Sequence, residues 1–167
     1  MRRAMAEATR EAAGASGGRP VPAGNLHVTL AFLGSVAEQR FAALAEVARA
    51  GARGPAGDPL ELSFDHLEYW RAAQLLCAAA AGPSAPAAAL AGRLQARLRA
   101  RGFAPDLKPF RPHVTVVRKV SRPGRSAKMD PVTWSFTQLA LIESRTLPDG
   151  AVYSVIESYP LCSALRR

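Results

Sequence analysis

Apolar and polar residues alternate in two segments of the chain. In residues 27–33, Val28, Leu30 and Phe32 occupy every second position, and a similar period begins residues 113–120. Successive side chains of a β-strand point to opposite faces, so the alternation predicts one strand in each segment. Each strand should turn its valine and leucine side chains towards the core and its intervening side chains away from it.

The remaining elements are predicted from apolar spacing and composition. Three segments are predicted to be helices: residues 1–15, 36–50 and 84–101. Four more segments are predicted to be strands: residues 60–69, 73–81, 132–143 and 151–159. A turn at Pro148-Asp149-Gly150 should join the last two strands, and residues 121–130, rich in Pro, Gly, Lys and Arg, should form a mobile basic loop.

The order of these elements indicates an α+β fold. Helix, strand, helix and two strands are followed by helix, strand and two strands, and each half contains one strand that begins His-Val-Thr. This order is typical of a degenerate duplication in which antiparallel sheets pack against helices. A chain of 167 residues can form one domain of two pseudo-symmetric lobes but is too short for two ordinary domains. We therefore treat residues 1–167 as a single bilobal domain.

Composition narrows the class of protein. The net charge of +9 favours an anionic partner, but lysine is rare beside arginine, which indicates that part of the charge reflects coding preference. No apolar run approaches the roughly 20 residues that a membrane helix needs, and no secretory signal is recognisable, so a cytoplasmic protein without membrane association is expected. Cys77 and Cys162 lack the close spacing of a zinc or redox pair, which indicates buried thiols.

Two of the three histidines open the repeated tripeptide. In His27-Val28-Thr29 and His113-Val114-Thr115, the period of two places histidine and threonine on the same face. Imidazoles titrate near neutrality, so one can donate a proton while the other accepts one. Threonine hydroxyls can donate hydrogen bonds to nonbridging phosphate oxygens. Two such strands side by side would surround a phosphate with the groups that open a cyclic phosphate.

A metal site is the main chemical alternative for the histidines. Zinc takes three or four ligands, usually with carboxylates or thiolates among them. Neither motif has an acidic residue two or four positions after its histidine, and the cysteines lie elsewhere. A metal ion is therefore not expected. His66 has no threonine companion and is interpreted as a structural or exposed residue.

The two motifs, with their flanking residues, resemble those of the two-histidine (2H) phosphoesterases. Within that superfamily they are similar to the RNA 2′,3′-cyclic phosphodiesterases, formerly called 2′-5′ RNA ligases. The resemblance rests on residues 25–34 (NLHVTLAFLG), 110–120 (FRPHVTVVRKV), 141–144 (LIES) and 150–153 (GAVY). Residues 64–70 also resemble the central strand of the family.

The resemblance implies a fold, a reaction and roles for residues. The fold would be two pseudo-symmetric α+β lobes, with both His-x-Thr strands in the cleft between them. His27 would donate a proton to the leaving 3′ oxygen, and His113 would accept a proton from water. Thr29 and Thr115 would hold phosphate oxygens. The product would be a 2′-phosphomonoester, formed without a metal or nucleotide cofactor.

Arg118 matches a basic position that follows the second motif in such enzymes, where it would contact phosphate. It stands five residues after His113, which is the opposite face of a regular strand. Contact with phosphate therefore requires a bulge or the end of the strand. Lys119 would at most flank the cleft.

The start of the chain departs from the family pattern. Family members usually begin with a short strand that carries an aromatic residue, whereas Met1 falls directly in the first predicted helix. Absence of that strand would leave a sheet edge open to self-association. It would also remove a surface on which a substrate base could stack.

The sequence thus predicts a monomeric, metal-independent phosphodiesterase that acts on RNA or a nucleotide with a 2′,3′-cyclic phosphate. Two alternatives stay open. A related enzyme could act on another cyclic or a 2′-5′-linked nucleotide, because the same side chains serve any such phosphate. A nucleotide- or RNA-binding module without turnover is the other alternative, and the intact His27 and His113 argue against it.

Overall fold

The described residues of the computed structural model are 1–53, 60–80, 82, 84–106, 108–147 and 150–161. They form two compact units that contain helices and antiparallel strands, which confirms the predicted α+β class. The first unit comprises Met1–Thr29, Glu61–Ser84 and Arg111–Trp134, and the second comprises Leu30–Leu60, Ala85–Phe110 and Ser135–Arg167. Among the described residues, no helix is both long and apolar enough to cross a membrane.

The elements follow one another along the chain as helices, short 3₁₀ turns and strands. The α-helices of the described chain are α1 (Arg2–Ala8), α2 (Arg10–Ala15), α3 (Phe41–Ala52) and α4 (Ala85–Ala100). Its strands are β1 (Arg19–Pro20), β2 (Leu60–Trp70), β3 (Leu75–Ala79), β4 (His113–Arg118), β5 (Ala127–Phe136), β6 (Gln138–Leu147) and β7 (Gly150–Pro160). The 3₁₀ turns lie at Ala23–Asn25, Glu38–Arg40 and Arg71–Ala73.

A five-stranded sheet in the order β1-β4-β3-β2-β5 carries the second histidine motif. Cys77 of β3 pairs with Thr115 of β4 on one side and with Glu68 of β2 on the other. The next rung consists of His113, Ala79 and His66. Because alternate residues of a strand point to the same side, both rungs present their side chains on one face. We call this the polar face of the sheet.

The opposite face of β4 is apolar. Val114 and Val116 are buried on this face. Val116 and Leu26 line a cavity of about 310 Å³ together with residues of α1 and α2, so these helices cover the apolar face. Arg2 Nε donates a hydrogen bond to the carbonyl oxygen of Leu26 at 3.0 Å. This bond fixes α1 to the segment that leads directly into His27.

Gly18 lies where the backbone passes close to the end of β4. A β-carbon at this position would lie 2.6 Å from Cγ1 of Val117 and 2.7 Å from the carbonyl oxygen of Arg118. Gly18→Ala should therefore destabilise the fold by about 1–3 kcal/mol, because neither a buried valine nor a strand backbone moves easily. Urea denaturation followed by circular dichroism measures this loss.

A matched control is available in α2. Gly14 has open space where its β-carbon would be. Gly14→Ala should stabilise the fold by about 0.5–1 kcal/mol, because it removes a glycine from a helix. Equal unfolding midpoints for the two variants would contradict the predicted steric clash at Gly18.

The second unit is built on α3, which packs against α4 and against the antiparallel hairpin of β6 and β7. Among its described residues, buried side chains form two clusters; one contains Ala48, Ala52, Leu90, Leu94, Leu139 and Tyr159, and the other contains Leu44, Val47, Leu98 and Phe103. Gly102 ends α4 in the left-handed conformation, with φ of +71°. Arg40 donates hydrogen bonds to the carbonyl oxygens of Arg101 and Gly102, which closes this helix end.

Residues 27–33 do not form the predicted strand. Only Val28 pairs, in an isolated antiparallel bridge with Val114. From Leu30 onwards the chain belongs to the second unit, where Leu30 packs against a core cluster. Phe32, predicted to share the buried face, is 62% exposed. The alternation identified apolar positions, but a strand also needs hydrogen-bond partners along its length, and this segment leaves the sheet after one pair.

The predicted strand at residues 132–143 is two strands in two sheets. The break falls at Thr137, between β5 and β6. The buried positions change there from even numbers, Val132 and Trp134, to an odd number, Leu139. Because the side chains of a strand have a period of two, a change of phase marks a break or a bulge.

Smaller differences concern ends of elements. The first helix is interrupted at Thr9, whose Oγ1 donates to the Met5 carbonyl oxygen at 2.9 Å. The predicted basic loop at 121–130 is shorter, because β5 already begins at Ala127. The turn residues Pro148 and Asp149, like Cys162, lie outside the described residues.

Candidate active site

The first motif histidine follows the 3₁₀ turn at Ala23–Asn25. His27 Nδ1 lies 2.6 Å from the carbonyl oxygen of Asn25, two residues earlier in the chain. The next residue, Val28, forms the bridge to Val114 of β4. The hydrogen bond to Asn25 therefore orients the ring, and the backbone pair with Val114 holds the segment beside the second motif.

The second motif histidine is the first residue of β4. His113 Nδ1 lies 2.7 Å from the carbonyl oxygen of Arg111, again two residues earlier. Pro112 stands between them and favours an extended backbone at Arg111. The Pro112 carbonyl oxygen in turn accepts a hydrogen bond from the Ala80 amide at 3.2 Å, which ties this entry to β3.

The two histidines thus have the same anchorage. In each, a backbone carbonyl oxygen faces Nδ1, and a carbonyl oxygen can only accept a hydrogen bond. Nδ1 therefore carries the proton in both neutral rings, and Nε2 is the nitrogen that exchanges protons. The rings are close enough for the charge of His27 to act on His113.

The antiparallel bridge also sets each motif histidine opposite the threonine of the other motif. Thr29 is exposed, whereas Thr115 is half-buried with its Oγ1 3.9 Å from Sγ of Cys77. Cys77 is fully buried, and burial raises the pKa of its thiol to about 11. The thiol is therefore a neutral neighbour of Thr115 at physiological pH.

A β-bulge in β4 brings Arg118 to the polar face. Between two neighbouring residues of β3, the pairing advances by two on β4, from Thr115 to Val117, so Val116 is the extra residue. Val116 and Val117 are both buried, whereas Arg118 is half-buried like His113. The bulge that a phosphate contact by Arg118 requires is present.

The surroundings of His113 shift its pKa. Burial lowers the pKa of its imidazole, and the positive charges of Arg111 and His27 lower it further. The hydrogen bond to the Arg111 carbonyl and the negative charge of Glu68 act in the opposite direction without reversing the net shift. A neutral imidazole at physiological pH is the form that can accept a proton.

Three side chains beside His113 were not predicted from the sequence. The indole ring of Trp70 lies against the imidazole of His113, with 4.3 Å between ring centroids and 46° between ring planes. Glu68 accepts hydrogen bonds from Trp70 Nε1 and from the Arg111 guanidinium. The only local signal is the placement of His66, Glu68 and Trp70 at alternate positions of β2, which puts them on one face.

His66 is half-buried, and both of its ring nitrogens have a partner. This agrees with its interpretation as a structural residue. Its Nδ1 lies 2.8 Å from a carboxylate oxygen of Asp65, and its Nε2 lies 3.1 Å from one of Glu68. The hydrogen bond to Asp65 is the largest cause that raises the pKa of His66, and burial opposes it. Ionised carboxylates only accept hydrogen bonds, so the doubly protonated ring satisfies both.

Across the described ranges, no group of three or more His, Cys, Asp or Glu side chains is arranged to hold a metal ion.

Comparisons with known proteins match most of the chain. A sequence model of the 2′-5′ RNA ligase superfamily matches residues 2–147. The RNA 2′,3′-cyclic phosphodiesterase of Thermus thermophilus is 31% identical over 173 aligned positions, which cover 96% of the chain and 84% of that protein. The RNA 2′,3′-cyclic phosphodiesterase of Escherichia coli is 34% identical over 105 residues, which are 62% of the chain and 57% of that protein.

A solved structure shares the fold. Crystalline Escherichia coli LigT complexed with 3′-AMP superposes with a TM-score of 0.81 at 24% identity. The match covers 96% of the chain and 90% of LigT. The α+β architecture therefore extends over nearly the whole of both proteins.

Proposed function

Because the chain belongs to the 2′-5′ RNA ligase superfamily, we propose that it hydrolyses the 2′,3′-cyclic phosphodiester ends of RNA to 2′-phosphomonoesters. Both curated relatives bear the name of this activity. The observation that carries the proposal is the pair of imidazoles on the two bridged segments, each with Nδ1 on a carbonyl oxygen. This arrangement leaves two Nε2 atoms to move protons on either side of one phosphate.

The reaction assigns one proton transfer to each imidazole. Nε2 of neutral His113 removes a proton from water as the water oxygen attacks phosphorus. The bond from phosphorus to the 3′ oxygen breaks, and Nε2–H of protonated His27 gives its proton to that oxygen. The bond to the 2′ oxygen persists, so the product is a 2′-phosphate with a free 3′ hydroxyl.

Three further polar side chains support the developing negative charge. Thr29 and Thr115 each stand two residues after a catalytic histidine and can donate hydrogen bonds to nonbridging oxygens. Arg118, turned to the polar face by the bulge, supplies a fixed positive charge. All five side chains belong to the first unit of a single chain, so we infer that the protein acts as a monomer.

The rate should depend on pH through the protonation of both imidazoles. His113 must be neutral to act as base, and its pKa lies below the ordinary value of 6.5, because burial disfavours the charged ring. The acidic limb of the kcat/KM profile should therefore lie below that value, and activity should persist in mildly acidic solution. The profile should fall again at alkaline pH, where the leaving oxygen loses its proton donor. Measurement from about pH 4 to pH 9 tests both limbs, and an acidic limb above the ordinary value would contradict a buried base.

Two other functions remain as alternatives. The same side chains could open another cyclic nucleotide or a 2′-5′ linkage, because they contact the phosphate and not the base. A module that only binds nucleotides is less favoured, because binding alone does not require an oriented tautomer at both histidines.

The deciding experiment incubates the purified protein with a short RNA that ends in a 2′,3′-cyclic phosphate, in the presence of EDTA. The expected product carries a 2′-phosphate, identified by mass spectrometry and phosphorus NMR. A 3′-phosphate would reverse the assigned leaving group, and inhibition by EDTA would support a metal-dependent reaction. If the RNA is bound but not cleaved, cyclic mononucleotides and 2′-5′-linked dinucleotides separate an enzyme of other specificity from a binding module.

A further inference from the structure

The carboxylate of Glu68 is the centre of a hydrogen-bond network on the polar face. It accepts from Trp70 Nε1 at 3.0 Å and from His66 Nε2 at 3.1 Å. Nη2 of Arg111 lies 3.0 and 2.9 Å from the two carboxylate oxygens. The side chain of Glu68 is only 21% exposed. Three donors around one half-buried carboxylate hold it ionised, and the hydrogen bond from Trp70 is the first cause that lowers its pKa.

Two of the three donors contact His113 directly. The ring of Trp70 packs on the imidazole, with 4.3 Å between centroids, and limits its rotation from one side. The carbonyl oxygen of Arg111 accepts the hydrogen bond from His113 Nδ1 at 2.7 Å and fixes the tautomer. Glu68 therefore acts on the imidazole indirectly, through the Trp70 ring and through the Arg111 backbone.

The register of the sheet makes this arrangement possible. Glu68 lies on the same rung as Thr115, with Cys77 between them. Its carboxylate is thus on the face that carries the motif, one strand away from β4. Arg111, two residues before the start of β4, spans β3 to reach it.

We propose that Glu68 is a positioning residue for His113: it holds the Trp70 indole and the Arg111 backbone in the places that orient the imidazole. This inference rests on the proposed function for its effect on rate, but the titration of His113 can be measured without turnover. A misplaced base costs up to about 100-fold in rate, because proton transfer needs a short and aligned approach. Glu68 also contributes negative charge, which favours the protonated form of His113.

The first test is Glu68→Gln, which preserves shape and removes the charge. We expect kcat to fall by about 10-fold or more with little change in KM, because a positioning residue acts on the base and not on substrate binding. NMR titration of the His113 ring should give a midpoint below that of the wild type, since a favourable negative charge is lost. The acidic limb of the kcat profile should move to lower pH in parallel.

A matched control removes another carboxylate from an ion pair. Glu46 pairs with Arg101 at 3.1 Å in the second unit, and both side chains are exposed. Glu46→Gln should leave the His113 titration and kcat at wild-type values. An unchanged His113 titration in folded Glu68→Gln would overturn the proposal. Absence of cyclic-phosphate turnover in the wild type would instead overturn the proposed function, while the NMR comparison would still decide the role of Glu68.

A double-mutant cycle tests the route through Trp70. Trp70→Phe keeps an aromatic ring near His113 but removes the N–H that donates to Glu68. In Glu68→Ala that N–H has already lost its acceptor, so adding Trp70→Phe should lower kcat no further. Independent, multiplicative losses in the two single variants would exclude action of Glu68 through the indole. Thermal denaturation of each variant confirms that the comparison is made on folded protein.

Discussion

His113→Ala should lower kcat/KM for an RNA 2′,3′-cyclic phosphate by about 10²–10⁴-fold, the usual contribution of a general base. Water is a weak nucleophile, and in this variant no other imidazole with the same anchorage remains on β4 to remove its proton. The loss should appear mainly in kcat, because the proposed phosphate contacts of Thr29, Thr115 and Arg118 are retained. Initial rates at saturating and at low substrate measure both parameters.

The space that the imidazole leaves in His113→Ala allows a direct check of the role of His113 as base. Imidazole added to the solution should restore part of the lost rate to His113→Ala. Substituted imidazoles should do so in the order of their basicity, as expected for removal of a proton from water. A variant that retains the wild-type rate, or a rescue that ignores the basicity of the added amine, would contradict the assignment of His113 as base.

His27→Ala should lose a similar factor of about 10²–10⁴ with the natural substrate, because the 3′ oxygen must leave without a proton. The expected loss depends on the leaving group. If the bridging 3′ oxygen is replaced by sulfur, the leaving thiolate needs no proton, so His27→Ala should approach the rate of the wild type on that substrate. Rates on the oxygen and sulfur substrates, compared for both proteins, measure the effect.

The same pair of substrates provides the control. His113→Ala should remain slow with the sulfur substrate, because activation of water is unaffected by the leaving group. If sulfur rescues His113→Ala and not His27→Ala, the acid and the base are exchanged. Equal rescue of both variants would exclude a division of roles between the two imidazoles.

The predicted strand is present in one histidine segment and absent from the other. Residues 113–118 form a strand as predicted, because β3 pairs along one edge of this segment and β1 along part of the other. The segment after His27 has the same alternation but only one bridge to the sheet, between Val28 and Val114. Alternation measures how side chains are distributed and contains no information about which backbone groups find partners.

Sequence patterns could not predict the side chains around His113 for a different reason. Glu68 and Arg111 are 43 residues apart in the chain and meet only because β2, β3 and β4 pair in one register. No motif within a strand encodes that register. The polar residues at alternate positions of β2 indicate a face but not its neighbours. The proposed acid–base pair, in contrast, is marked by a repeated tripeptide, which is a local signal.

The bulge in β4 has a consequence for deletions in this strand. Arg118 stands five residues after His113, so a regular strand of the same length would turn its guanidinium to the side of the sheet that α1 and α2 cover. Deletion of the extra residue Val116 would remove the bulge and leave an offset of four, which keeps Arg118 on the polar face. A one-residue deletion at Val116 should therefore shorten the strand without exchanging its faces.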